Sequence, residues 1–156
     1  MAVTYEPIAS VLSSATTTTL SNIPGTYTDL VLTLSHTTTQ GGADIFFRFN
    51  SDTGSNYSRT FMYGFNNAPA SGRQSSQTSI GTAGDNTLHN NVIHIMSYAN
   101  TNVFKTVLDS FGGASRIVGR QVALWRSTAA ITSIDVITSA VSGEGTRIHL
   151  YGIKAA

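Results

Sequence analysis

Polar and apolar residues alternate along several short stretches of the chain, which is the pattern of a strand with one buried face. The alternation is clearest over residues 28–35 and 43–50. The side chains predicted to share the buried faces are Leu30, Leu32 and Leu34 in the first stretch and Ile45, Phe47 and Phe49 in the second. No stretch of two or more turns has apolar residues at the three- and four-residue spacing of an amphipathic helix. The pattern therefore predicts β structure throughout.

Further strands are predicted where short apolar runs lie between clusters of Gly, Asn, Ser or Pro. These stretches are 57–66, 91–98, 103–111, 117–126, 131–139 and 146–154, with weaker candidates at 8–12 and 16–21. About eight to ten short strands at even spacing are typical of a sandwich or barrel and not of βαβ units. We predict an all-β fold with one domain over residues 1–156, a two-sheet antiparallel β-sandwich of jelly-roll-like form.

Two segments differ from the rest of the chain. Residues 67–90 are dense in Gly, Ser, Gln and Asn, and their only large aliphatic residues are Ile80 and Leu88. A connection of this length in a small domain is usually functional or disordered, so we interpret it as a long loop that is either a contact surface or passive. Residues 1–14 precede the strong alternation and are predicted to form an extended N-terminal arm.

The composition narrows the classes of partner. Charged residues make up only 11% of the chain and the formal net charge is +1, so no strong field would attract nucleic acid or an anionic membrane. No cysteine is present, which removes disulfides and thiolate metal sites. No basic segment followed by an apolar run opens the chain, and no stretch approaches the length of a membrane span. We expect a protein that is made in a host cytoplasm without a signal peptide.

Residues with catalytic or ligand chemistry are scattered along the sequence. The four histidines, His36, His89, His94 and His149, lack the paired spacing of a metal site, and His94 and His149 are predicted on solvent-facing strand positions. Asp109 and Asp135 are interpreted as satisfied edge or surface carboxylates, paired with Arg120 or Arg126. No nucleophile elbow, phosphate loop or dinucleotide fingerprint is present. The sequence thus indicates no catalytic, metal or cofactor site, and we predict that the protein is not an enzyme.

Two further motifs have a structural and a functional interpretation. Residues 50–56 space oxygen ligands two apart as a calcium loop does, but the second acidic position and the distal glutamate are missing, which favours an Asx turn. Aromatic residues on a sandwich either fill the core or stack against sugars. Phe61, Tyr63 and Phe65 alternate and so share one face, which favours the core, and Trp125 is likewise predicted to pack inside.

Several phrases of the sequence resemble a known family of proteins. They are Asn22-Ile-Pro-Gly-Thr-Tyr-Thr-Asp-Leu30, Arg48-Phe-Asn-Ser-Asp-Thr-Gly-Ser-Asn-Tyr57, Leu124-Trp-Arg-Ser-Thr-Ala-Ala-Ile131 and Leu150-Tyr-Gly-Ile-Lys-Ala-Ala156. In this order they are similar to a β-rich domain of tailed-bacteriophage virion proteins, including those of cyanophages. That domain occurs as a small head or tail protein or as the terminal module of a fibre, and the resemblance runs from about Tyr5 to the C-terminus.

The resemblance implies a structural role and supplies no site residues. A decoration (cement) protein of the capsid surface would bind neighbouring major capsid subunits, stabilise the head and assemble as a homotrimer. Residues 2–14 and one end of the sandwich are its predicted contact, since an extended segment can pair with a partner's sheet edge. The alternative is a tail-fibre or baseplate module that recognises host-surface glycans through end loops, chiefly 67–90 with Arg73.

Overall fold

A computed structural model describes residues 5–37, 44–82, 88–113, 115–142 and 145–154. Over these residues the chain forms twelve strands and no helix. The strands are β1 (Tyr5–Ser13), β2 (Thr17–Leu20), β3 (Asp29–His36), β4 (Ile45–Phe49), β5 (Tyr57–Phe65), β6 (Ala68–Gln77), β7 (Ile80–Thr82), β8 (His89–Met96), β9 (Lys105–Gly113), β10 (Ile117–Trp125), β11 (Ile134–Thr138) and β12 (Thr146–Ile153).

The strands form two antiparallel sheets of unequal width. The larger has eight strands in the order β1-β12-β3-β8-β9-β10-β5-β6, and the smaller has four in the order β2-β11-β4-β7. The pairs β2·β11, β3·β8, β4·β7 and β5·β6 are nested in sequence, as in a long hairpin rolled into two sheets. That nesting is the jelly-roll topology, here with β9 and β10 inserted beside β8 and with β1 and β12 added at one edge. The predicted all-β sandwich is confirmed.

The core lies between the two sheets. Alternate side chains of β3 and β4 point into it, and Leu30, Leu32, Ile45 and Phe49 are almost fully buried, as the alternation predicts. Trp125 is also buried there, which confirms its predicted role in packing. Since the four-stranded sheet is half as wide, it covers only part of the inner face of its partner.

The prediction of one long loop over residues 67–90 is wrong for the described residues. β5 turns at Asn66, whose φ of 52° lies in the left-handed region, into the ten-residue strand β6. β7 follows at Ile80 and belongs to the smaller sheet. β6 was not predicted because it has no apolar alternation. It is an edge strand in which nearly every residue is exposed. Residues 83–87 lie outside the described part of the chain.

The outer strands of both sheets are poor templates for pairing with another strand. β1 carries Pro7 and a register shift between Pro7 and Ala9, and β6 carries Pro69 and pairs with β5 through another register shift. The outer strands of the smaller sheet, β2 and β7, have only four and three residues. Proline, bulges and short length are the usual means of blunting a sheet edge. Over residues 5–13 the predicted N-terminal arm is itself the edge strand β1, paired with β12.

Candidate functional site

The outer face of the eight-stranded sheet carries apolar side chains that nothing in the described structure covers. They come from β5, β8, β9 and β10, and we call them together the apolar face: Met62, Val92, Leu108, Val118 and Val122, with exposed fractions of 63, 53, 38, 70 and 51%. Cross-strand register brings them together, because Leu108 lies opposite Val122 and Met62 lies opposite Arg120, which flanks both valines of β10. Contiguous exposed apolar patches of this kind usually mark interaction sites.

Small residues make the apolar face concave. Gly64 and Gly112 lie on either side of Val118, and Ser71 and Ser110 occupy the next row of the sheet. These residues line the floor of a shallow trough of about 960 Å³, with Met62 and Val92 among its walls. A Cβ atom added at Gly64 would meet no atom within 4 Å, so the missing side chain leaves space that a partner could fill.

The charge in the trough is sparse and of one sign. Arg120 lies within the trough, and Arg73 lies on β6 opposite Thr60 at its border. Among the described residues no carboxylate lines the trough. Apolar residues with arginine, and without lysine or acidic residues, are the composition enriched at the centres of protein interfaces.

Gly64 and Gly119 both lie beside Tyr63 but on opposite faces of the sheet. Replacing each by alanine therefore tests the packing on one face. Gly119→Ala is expected to lower the free energy of unfolding by about 1–3 kcal/mol, because its Cβ would lie 2.5 Å from Phe111 and 2.6 Å from Tyr63. Gly64→Ala is expected to leave stability unchanged or raise it, since alanine restricts the unfolded chain. Urea denaturation of both variants tests this, and equal losses would contradict the open space at Gly64.

The inner face of the same strands is polar beyond the core. Asp109 is 2% exposed and accepts hydrogen bonds from Gln121 Nε2 at 2.8 Å and Asn91 Nδ2 at 3.2 Å. Burial raises the pKa of Asp109, although the hydrogen bonds from Gln121 and Asn91 and the charge of Arg59 oppose the shift. Arg59 also donates to Gln121 Oε1 at 3.3 Å, so this cluster helps to hold the guanidinium in position.

The predicted arginine partners of the two strand aspartates are wrong. Asp109 and Asp135 are both buried, and Asp135 accepts a hydrogen bond from Thr19 Oγ1 at 2.7 Å. Arg120 points to the opposite face of β10 from the side chains that bind Asp109, and Arg126 donates to the carbonyl oxygen of Ser55. Both aspartates are hydrogen-bonded as predicted, but by neutral groups. Asp109 faces inward and meets other inward side chains. Asp135 lies on the face of β11 opposite to the buried Ile134 and Val136, between Thr19 of β2, its donor, and Arg48 of β4 in the register.

The histidines divide into two pairs of different environment. His94 and His149 are half-buried on the outer face, as predicted, and His94 Nε2 lies 3.0 Å from Asp29 Oδ2. His36 and His89 are fully buried opposite each other, with ring centroids 5.8 Å apart, and no sequence pattern indicates this pairing. Burial lowers the pKa of His36. Among the described residues no group of three or more His, Cys, Asp or Glu side chains comes together as a metal site would require.

The loop at residues 50–56 is the predicted Asx turn. Asp52 Oδ1 accepts a hydrogen bond from the Gly54 amide at 2.8 Å, and Oδ2 accepts from Asn56 Nδ2 at 2.9 Å. Trp125 Nε1 donates to the same Oδ2 at 2.7 Å. The carboxylate of Asp52 is therefore committed to holding the loop against the core.

The aromatic residues of β5 share the inner face as predicted but are only half-buried. Phe61 and Tyr63 stack with ring centroids 5.8 Å apart, and Arg59 lies over Phe61 at 4.8 Å from the ring centroid. Arg116 covers Phe65 in the same way, at 5.0 Å. The prediction that these rings lie in the core is wrong in the extent of their burial, because the four-stranded sheet ends before it covers them. Phe61 and Tyr63 line a cleft instead.

Neither any protein-family model nor any curated protein sequence matches the chain. A search of the described residues for a helix long and apolar enough to cross a membrane finds none.

Proposed function

We propose that the protein is a structural component of a bacteriophage virion, a decoration protein that attaches to the capsid by its apolar face. The observation that carries the proposal is the uncovered trough formed by Met62, Val92 and Val118 over a floor of glycine and serine. Burying such side chains contributes about 25 cal/mol per Å² of apolar area removed from water. The resemblance to virion proteins, carried by the phrases within residues 22–156, supports the same role.

The chemistry of the face favours a partner of complementary charge. Among the described residues Arg120 is the only charged side chain that lines the trough, and Arg73 lies beside it on β6. A two-fold contact between copies would place each arginine patch against itself, with no carboxylate to pair with it. The proposed occupant is therefore a coat subunit that presents an apolar side chain rimmed by Asp or Glu.

The blunted edges support a contact by the face in preference to one by strand pairing. β1 and β6 each have a proline and a register shift, so neither offers a regular row of backbone groups to a partner strand. The proposed contact is therefore the outer face of β5, β8, β9 and β10 and no longer residues 2–14. Trimer formation remains part of the proposal, and light scattering would test it by a mass three times the 16.5 kDa of one chain.

Gly64→Trp is the sharpest test of the proposed contact. The indole would fill the trough from a position where a Cβ meets no atom within 4 Å, so we expect a folded protein whose affinity for the capsid falls at least about tenfold. Occupancy on heads that lack the protein can be measured by co-sedimentation and by cryo-electron microscopy.

A control variant separates a blocked trough from a general effect of added aromatic surface. Thr17→Trp adds the same ring on the exposed edge strand β2 of the other sheet, and its binding should match that of the wild type. Unchanged head occupancy by Gly64→Trp would contradict docking by this face. Density on the tail and none on the head would contradict the capsid assignment itself.

A further inference from the structure

A second cavity lies on the other side of β5, between the inner face of the large sheet and the end of the small one. Its volume is about 250 Å³. Arg59, Phe61 and Tyr63 of β5 and Gln74 of β6 form one wall, and Asp44 and Phe46 form the other. We call it the inter-sheet cleft. It exists because the eight-stranded sheet extends past the four-stranded one.

The cation in the inter-sheet cleft is held in place before any ligand arrives. Arg59 Nε donates to Gln74 Oε1 at 2.8 Å, and Arg59 Nη1 donates to the carbonyl oxygen of Gly81. The guanidinium also lies over the ring of Phe61. Fixing a side chain in its binding geometry removes part of the entropy cost of binding.

Three polar groups at the cleft have unused hydrogen-bonding capacity among the described residues. The carboxylate of Asp44 accepts no hydrogen bond. The hydrogen bonds of this residue are made by its backbone, with Ser139. Gln74 uses its carbonyl oxygen for Arg59, which leaves its amide nitrogen as a donor. Arg59 Nη2 is a further donor. Burial raises the pKa of Asp44, while the nearby charge of Arg59 opposes that shift.

These groups select a chemical class of ligand. One carboxylate and one guanidinium balance in charge, so the cleft favours a neutral ligand over an anion or a cation. Acceptor and donor side chains beside aromatic rings suit a molecule with both hydroxyl groups and C–H faces. We infer that the inter-sheet cleft binds one pyranose unit of a neutral glycan, with Asp44 accepting from, and Gln74 and Arg59 donating to, its hydroxyl groups.

This inference goes beyond docking on a capsid and is compatible with it, because β5 separates the two surfaces. Arg59 and Phe61 point into the cleft, while Thr60 and Met62 lie on the outer face. A particle-bound copy would keep its cleft open to the medium. The site also differs from the predicted end loop, since its residues from the 67–90 segment, which are Gln74, Gly81 and Thr82, lie on the strands β6 and β7.

Nuclear magnetic resonance of the ¹⁵N-labelled protein tests the cleft with defined probes. Methyl α-glucoside, methyl β-galactoside and N-acetylglucosamine would be titrated separately, with glucuronate as the charged comparison. We expect saturable shifts of the amides of Phe61, Gln74 and Gly81 with at least one neutral sugar. The dissociation constant should be on the order of 1 mM, as befits a ligand of about a dozen heavy atoms.

Variants decide whether the named groups bind the sugar. Asp44→Asn and Gln74→Leu should each weaken binding about tenfold, whereas Met62→Ser, which alters the opposite face of the same strand, should leave it unchanged. Amide spectra that match the wild type outside the cleft establish that each variant is folded. Absence of saturable shifts with all three neutral sugars, tighter binding of glucuronate, or undiminished binding by both cleft variants would overturn the inference. None of these results would affect capsid docking by the apolar face.

Discussion

Replacing Trp125 by alanine is expected to lower the free energy of unfolding by about 3–5 kcal/mol, the range for deleting a large buried aromatic side chain. Trp125 is 2% exposed, stacks on Tyr57 at a centroid distance of 6.2 Å and meets the edge of Phe49 at 5.6 Å. These rings join β10 of the large sheet to β4 of the small one. Urea denaturation followed by circular dichroism measures the loss.

Trp125→Phe separates ring packing from the hydrogen bond to Asp52. It keeps an aromatic ring but removes the Nε1 donor, so its loss should be smaller than that of alanine. Burial alone would raise the pKa of Asp52, but hydrogen bonds from Trp125, Asn56 and Gly54 hold it below the ordinary 3.8. Because the folded pKa is lowered, this stabilisation is present above about pH 4 and is lost as the pH falls through the folded pKa. Alanine and phenylalanine variants of equal stability would contradict the packing argument.

Replacing Lys105 by methionine is expected to cost about 3 kcal/mol, because it leaves several carbonyl oxygens without a donor. Lys105 is fully buried, and its ammonium donates to the carbonyls of Asn100, Val103 and Thr128 at 2.5, 2.8 and 3.2 Å. Desolvation lowers the pKa of this lysine. The group ties the loop after β8 to the loop after β10. Thermal and urea unfolding of the variant measure the effect.

Lys154→Met is the matched control for Lys105→Met. Lys154 lies on the surface and pairs with Glu6 at 2.8 Å, an exposed contact of the kind that adds little to stability. We expect the control to unfold close to the wild type. If both substitutions cost the same, the three carbonyl contacts of Lys105 would not be the source of its stabilisation.

Strands with one buried face could be predicted from the sequence, and strands that are exposed or buried on both faces could not. β3, β4 and β8 read correctly because burial on one side imposes alternation on them. β6 is exposed on both sides, and β7 has three residues that are all buried, so neither shows a period. Register along a strand also decides what an aspartate meets, which is why the partners of Asp109 needed the structure.

The two proposed sites differ in how far they could be predicted from the sequence. β10 has Val118 and Val122 on one face and Ala123 and Trp125 on the other, so a strand that is apolar on both sides was a readable sign of an uncovered face. The inter-sheet cleft offered no such sign. Its walls come from β5 and β6 and from the segment at Asp44, and they meet only because the two sheets differ in width.

The blunted outer strands have a consequence for how the protein behaves at high concentration. In the proposed role as a decoration protein, many copies would be present together while the apolar face is still open. Sheets with long, regular edges at such concentrations add to one another and grow into fibrils. Pro7 and Pro69 interrupt the edges of the large sheet, and the small sheet ends in strands of four and three residues. The sheet edges thus give little opportunity for polymerisation through the backbone while the apolar face is uncovered.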